Sequence, residues 1–158
     1  NIELPKIQAD LIKELHKTGK PLVYVNFSGS AIALNWEAQN LPAIVQAFYP
    51  GEATGTALTR LLFGEVSPSG KLPVTFYKSV NDLPDFQSYV MEGRTYRYFK
   101  GDVIYKFGHG LSYTTFKYKN LQLPATANTN ADVKVTVEVN NEGKRDADEV
   151  VQLYISNK

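Results

Sequence analysis

The sequence predicts an α/β fold, a partial three-layer α/β sandwich followed by an incomplete all-β sandwich. Three observations lead there. Residues 1–77 repeat a rhythm of amphipathic helix, glycine and apolar run, the pattern of helices laid on a largely parallel sheet. Asp132-Val-Lys-Val-Thr-Val-Glu-Val139 alternates strictly, valines on one face and polar residues on the other, as a half-buried strand does. Between these, residues 78–111 lose all periodicity while staying rich in aromatic side chains. The domains read as 1–77, an irregular connecting segment 78–111, and a β-sandwich start at 112–158.

The first helix is predicted from Pro5 to Lys17. Proline suits a first turn because its missing N–H has no intrahelical partner there. Ile7, Leu11 and Leu15 recur every fourth residue beside Leu4 and Ile12, and Gly19 supplies a left-handed stop. Pro21–Phe27 is a near-continuous apolar run, suited to a strand covered on both faces. Ser28-Gly-Ser30 turns the chain, Ala31–Leu34 reads as a short extended piece and Trp36–Gln39 as a helical turn. Ala43–Phe48 is a second buried strand, ended by Pro50-Gly51. Thr54–Phe63 is a helix whose inner face is Ala57, Leu58, Leu61 and Leu62, capped by Gly64. Pro68-Ser-Gly70 signals a turn, and Leu72–Tyr77 is a strand that Pro73 confines to an edge.

Residues 78–110 mix Asp, Pro, Gly and aromatics without a repeat. A stretch of this length is functional or wraps a surface. Phe86, Tyr89, Tyr96, Tyr98, Phe99, Tyr105 and Phe107 argue against disorder and read as pins onto a neighbouring surface. Strands follow at Thr115–Leu123, Asp132–Val139 and Glu149–Ser156, with a turn at Asn140–Gly143. Three strands rarely close a sandwich, so Lys158 reads as a truncation.

The chain has 158 residues, 43% hydrophobic and 21% charged, the profile of a packed domain. A net charge of +1 gives no bulk attraction to nucleic acid or anionic lipid. No apolar run is long enough to span a bilayer. Zero cysteines exclude disulfides and thiolate metal sites and leave the compartment open.

Several segments together resemble family 3 glycoside hydrolases, in order and spacing. Leu4-Pro5 with Gln8 and Leu11 resembles the helix after that family's acid/base loop. Lys20-Pro-Leu-Val-Tyr-Val-Asn-Phe-Ser-Gly29 resembles its next strand and turn, and Tyr49-Pro-Gly-Glu52 with Gly55-Thr-Ala-Leu58 its proline-glycine turn and helix. Leu62-Phe-Gly64, Pro68-Ser-Gly-Lys-Leu-Pro-Val-Thr-Phe76 and Phe107-Gly-His-Gly-Leu-Ser-Tyr-Thr-Thr-Phe116 continue the series. Glu149-Val-Val-Gln-Leu-Tyr154 is similar to an early strand of the fibronectin-III-like domain that ends many members. Met91-Glu-Gly-Arg-Thr-Tyr-Arg-Tyr-Phe99 most resembles members acting on xylosides, with related sequence in glucosidases.

The resemblance implies a retaining exo-hydrolase of β-linked sugars. In such enzymes an aspartate on a preceding barrel domain attacks the anomeric carbon, and a glutamate on a sandwich-domain loop donates and then accepts the proton. Both fall outside the matched part, so no catalytic residue, metal or cofactor is assigned. The expected partners are the rest of the same enzyme (its barrel domain and the start of its sandwich domain) and a β-linked oligosaccharide. The resemblance also favours a secreted or periplasmic setting. A non-catalytic carbohydrate-binding or scaffolding module is the alternative, motivated by the aromatic loop. A flavodoxin-like signalling domain would need an acidic cluster or phosphate turn, and neither is visible.

Glu92, Arg94 and Tyr96 are the candidate substrate-binding residues: a carboxylate and a guanidinium fork to hold hydroxyls, and a ring to stack on a sugar. The competing reading is an ion pair anchoring the loop, with Arg97 or Asp102, and a packed tyrosine. Glu52 reads as a helix-end carboxylate, stabilised by the macrodipole and poorly suited to donate a proton. His16 reads as solvated, Trp36 as a partly buried anchor, and His109 as a turn residue without metal-ligand partners.

Overall fold

A computed structural model describes residues 1–128 and 130–156 of the chain. Lys158, read above as a truncation, lies outside the described residues. The chain divides into two compact units, Asn1–Gly55 with Lys71–His109, and Thr56–Gly70 with Gly110–Lys158.

The first unit opens on α1 (Lys6–His16). The Pro5 carbonyl accepts from the amides of Gln8 and Ala9, at 2.9 and 3.1 Å, so proline begins the helix as its chemistry requires. Gly19 adopts φ 71° and donates to the His16 carbonyl, closing the other end. β1 (Val23–Asn26), α2 (Asn35–Asn40) and β2 (Ala43–Gln46) form a strand–helix–strand unit. The two strands pair in parallel, with Val23 opposite Ala43 and Asn26 opposite Gln46. The predicted strands are therefore present and shorter than their apolar runs. Val23 and Ala43 stay exposed, and the residues after them are mostly half-buried, because a two-stranded sheet covers little of either face. The apolar stripe of α1 is likewise bare: Ile7, Leu11 and Leu15 face solvent.

His16 differs from its expected solvated state. Its ring packs edge-on against Trp36, centroids 5.3 Å apart at 90°, and the Lys13 ammonium sits 5.8 Å from the same indole. Trp36 thus ties α2 to α1 through ring and cation contacts.

Leu72–Tyr77 is reduced to β3 (Phe76–Tyr77), paired antiparallel with β4 (Val103–Tyr105). Pro73 has no N–H to continue a ladder. Leu72, just before it, still donates to the His109 carbonyl and accepts from Gly108, both at 2.8 Å. The segment read as irregular holds three short elements: a 3₁₀ turn at Val80–Asp82, α4 (Thr95–Tyr98) and β4. Ser79 starts the turn with a reciprocal cap. Its hydroxyl accepts from Asn81, and its amide donates to the Asp82 carboxylate at 2.9 Å.

The core of this unit is small. Leu34 and Phe76 are each 1% exposed, beside buried Asn26, Glu37 and Thr75. The Phe76 ring meets Tyr105 edge-to-face at 6.1 Å.

α3 (Thr54–Leu62) leads into the second unit and ends at Gly64, φ 74°. Of its predicted inner face, Leu58 and Leu61 are half-buried, while Ala57 and Leu62 are exposed. The Arg145 guanidinium bonds the Gly64 carbonyl, and the Tyr113 hydroxyl donates to the Leu61 carbonyl at 2.9 Å. β5 (Phe116–Gln122) and β6 (Thr136–Asn141) form an antiparallel hairpin. β6 lies later than the predicted Asp132–Val139, because Asn140 and Asn141 pair with Lys117 and Phe116 before the chain turns. The Asn141 side chain then builds that turn, accepting from Gly143 at 3.0 Å and donating to the Arg145 carbonyl at 2.8 Å. The third strand expected at Glu149–Ser156 is absent: residues 149–156 carry no ladder. Glu149 instead accepts from the Tyr118 hydroxyl at 2.7 Å.

Phe76→Ala should cost about 3–5 kcal/mol, the range for removing a fully buried aromatic ring. Urea unfolding followed by Trp36 fluorescence, which reports on the same unit, would measure it.

Candidate functional site

The candidate residues lie on a loop that begins at Pro84 and ends in α4. Arg94 organises it. Its Nε donates to the Val90 carbonyl at 2.9 Å, and its Nη2 donates to the carbonyls of Asp85 and Ser88 at 3.0 and 2.6 Å. The Arg94 amide also closes a turn onto the Met91 carbonyl at 3.1 Å. Short side-chain bonds complete the loop. The Asp85 carboxylate accepts from Gln87 at 3.1 Å, and the Ser88 hydroxyl accepts from Val90 at 3.3 Å. The fork expected to hold sugar hydroxyls thus holds backbone. Neither of the ion pairs weighed for it forms: Asp102 lies 3.4 Å from Lys78, and the Arg97 Nε donates to the Tyr96 hydroxyl at 3.2 Å.

Glu92 is exposed, and no hydrogen bond or ion pair engages its carboxylate among the described residues. Tyr96 stacks on Phe107, centroids 4.4 Å apart at 26°, and the Arg97 guanidinium sits 5.6 Å from its ring. Tyr96 is therefore packed on one side and still partly accessible. Glu92 sits in the Met91–Arg94 turn and Tyr96 follows it, with Arg94 between them.

The start of α4 carries strain. Thr95 has φ 58°, unfavourable for a β-branched residue, and Gly93 two positions earlier has φ 70°. The Thr95 amide is held by the Tyr77 hydroxyl at 2.8 Å, and the Tyr77 ring packs edge-on against Phe99 at 4.9 Å. Phe99, packed on Tyr77 of β3, therefore does the pinning expected of the loop's aromatics, while Tyr96 and Phe107 pack on each other. Phe86 and Tyr89 do neither. Each is 98% exposed. The sequence marked both only as members of an aromatic cluster; their outward placement depends on which carbonyls Arg94 reaches.

A second polar group sits at the carboxyl ends of β1 and β2. Asn26 donates to Gln46 at 2.6 Å and to Ser28 at 3.0 Å, and accepts from the Tyr24 hydroxyl at 3.1 Å. Gln46 donates back to the Ser28 hydroxyl at 3.1 Å. Burial, reinforced by the nearby Glu37 carboxylate, raises the pKa of Tyr24. The bonds are mutual, so the network ties the strand ends together. Ser28 is a member of it, with its hydroxyl donating to the Ser30 carbonyl at 2.8 Å.

The remaining candidates have ordinary settings. Glu52 is exposed, and the Thr54 amide donates to the Gly51 carbonyl at 3.1 Å at the start of α3. His109 stacks on Tyr105 at 4.8 Å and 18°. Among the described residues no group of three His, Asp or Glu side chains is placed to hold a metal ion. A cleft of about 580 Å³ opens beside the β5–β6 connection, lined by Gln122, Leu123, Val133 and Lys134, and Asp132 is the one carboxylate among its described lining.

The whole of this first unit, and the start of the second, falls within residues 1–113, which match the glycosyl hydrolase family 3 C-terminal domain. The chain belongs to glycosyl hydrolase family 3. A xylan 1,4-beta-xylosidase of Xylanibacter ruminicola is 50% identical over 157 residues, which cover 99% of this chain and 18% of that protein. A periplasmic beta-glucosidase of Salmonella typhimurium is 40% identical, over 98% of this chain and 22% of its own length. Among solved structures, a GH3 exo-beta-xylosidase in complex with a xylobiose aziridine probe superposes with TM-score 0.81 and 28% identity, over 94% of this chain and 23% of its own. The beta-D-glucoside glucohydrolase of Trichoderma reesei gives TM-score 0.79 and 30% identity, over 90% of this chain and 24% of its own. This family 3 chain thus corresponds to a C-terminal portion of its relatives and spans about a fifth of their length.

Two measurements follow. Tyr77→Phe removes the hydroxyl that holds the Thr95 amide, and should cost about 1 kcal/mol and speed hydrogen exchange at that amide. His109 has its pKa lowered from the ordinary 6.5, first by burial and then by the Lys71 ammonium. On acidification the unfolded chain takes up this proton before the folded one. The His109 contribution is therefore fully present above 6.5 and is lost as pH falls from there through the lower folded value. The urea midpoint should drop across that window, and His109→Gln should flatten the drop.

Proposed function

We propose that this chain is the C-terminal structural portion of a retaining, exo-acting β-glycosidase that releases terminal β-linked xylose or glucose from oligosaccharides. The observation that carries the reading is the family match over residues 1–113, together with 50% identity to a xylan 1,4-beta-xylosidase along almost the whole chain. The nucleophilic aspartate and the acid/base glutamate are supplied by polypeptide outside this chain, on a barrel domain and at the start of the sandwich domain.

The exposed side chains support a role as a buttress. Ile7, Leu11 and Leu15 on α1, and Val23 and Phe27 around β1, leave apolar surface bare of the kind that packs against a neighbouring layer. In this role the chain extends the sheet and carries the loop that reaches the saccharide. Glu92 offers a carboxylate to sugar hydroxyls, Tyr96 offers the accessible edge of a packed ring, and Arg94 shapes the loop that carries both. A non-catalytic carbohydrate-binding module is the second reading, favoured by the bare rings of Phe86 and Tyr89.

The purified 158-residue chain should not hydrolyse nitrophenyl β-xyloside or nitrophenyl β-glucoside, whereas the full polypeptide should cleave at least one of them. Turnover by the chain alone that survives further purification would overturn the assignment of both carboxylates to other parts of the enzyme.

A further inference from the structure

We propose that Phe86 and Tyr89 form a stacking platform for a sugar ring of a β-linked oligosaccharide, with Arg94 as the positioning residue that holds the platform in shape. The inference rests on the glycosidase reading given above and adds to it two contact residues and a distinct role for Arg94.

Two observations coincide on this loop. The rings of Phe86 and Tyr89 are each 98% exposed, so neither contributes to packing within the chain. Leaving such rings in water forgoes the roughly 1.5–3 kcal/mol that burying a large apolar side chain returns. The backbone that carries them is nonetheless tightly held. Arg94 bonds the carbonyls of Asp85, Ser88 and Val90, which precede, separate and follow the two aromatic positions. The Ser88 amide returns to the Asp85 carbonyl at 3.0 Å. A loop pinned at every second or third residue, with its largest rings aimed outward, is organised for presentation.

The side chains around the rings indicate what is presented to them. Among the described residues, the Gln87 side-chain amide and the Tyr89 hydroxyl have no hydrogen-bond partner, and the Glu92 carboxylate is exposed nearby in sequence. A sugar ring has an apolar C–H face bordered by hydroxyls. It therefore suits an aromatic surface flanked by an amide, a phenol and a carboxylate that lack partners of their own. Stacking also gains most from rings fixed in advance, because less motion is lost on binding. Arg94 supplies that fixation without touching the sugar.

The test uses the full polypeptide that carries this chain. Calorimetry would measure binding of thio-linked xylotriose and cellotriose analogues, which resist hydrolysis, with nitrophenyl β-xyloside turnover and Tm followed in parallel. The double variant Phe86→Ala/Tyr89→Ala should bind the preferred trisaccharide roughly tenfold more weakly. Tyr89→Phe keeps the ring and should stay within about threefold of the parent. Arg94→Ala should reproduce the loss and Arg94→Lys should restore part of it, because an ammonium still reaches carbonyl oxygens. A parent protein that binds neither trisaccharide overturns the platform, as does unaltered affinity in the double variant. Unaltered affinity with a sharply lower Tm would place the rings in a protein contact instead. A parent protein that binds trisaccharide but turns over no glycoside retains the platform and overturns the hydrolase reading.

Discussion

A long irregular loop keeps a single shape only if its carbonyls find donors. Here one guanidinium provides three of them. The backbone from Asp85 to Val90 has no ladder, and the nearest regular elements are a 3₁₀ turn before it and α4 after it. With Arg94 in place, the turn at Met91–Arg94, the exposure of Glu92 and the direction of Phe86 and Tyr89 all follow. Arginine suits this task better than lysine because its donors diverge in a fixed plane and can address carbonyls on different residues. The same property suits a guanidinium to substrate recognition, and the two uses look identical when only residue type is known.

The rest of the first unit supplies a base for this loop. Its core is small, centred on Leu34 and Phe76, and is supplemented by polar links and ring contacts: Asn26 with Gln46, Asn35 with the Lys78 carbonyl at 2.6 Å, and His16 with Trp36. Ring contacts from Tyr77 to Phe99 and from Tyr96 to Phe107 carry this organisation up to α4. The apolar surface on α1 and β1 remains uncovered in a chain about a fifth as long as its relatives. Buried area within these residues is therefore a poor guide to how firmly they are held in a longer polypeptide.

Local chemistry made much of the architecture readable. Four-residue spacing gave α1 and α3, Gly19 and Gly64 marked their ends, and the apolar runs located β1 and β2. What escaped the sequence depended on distant partners. α4 begins at a threonine in the left-handed region, which local preference opposes, and its amide is held by a hydroxyl 18 residues earlier. β4 exists because Phe76 and Tyr77 lie beside it. β6 is displaced because Asn141 serves both the ladder and the turn. At the candidate site, residue type picked out Glu92, Arg94 and Tyr96, yet it could not say that Arg94 would face inward to carbonyls. Nor could it separate Phe86 and Tyr89 from the aromatics that pack.

Asn120 in β5 also has φ 54°, at the point where the pairing with β6 slips between Lys119 and Gln122. Its side chain reaches across to Glu138 at 2.6 Å, and Asn140 reaches the same carboxylate from the other side at 2.8 Å. The hydrogen bonds from Asn140 and then Asn120 hold the pKa of Glu138 below its ordinary value. The kink and its charged brace make the outer margin of this hairpin uneven, and an uneven margin is a poor template for a stray strand from a neighbouring molecule.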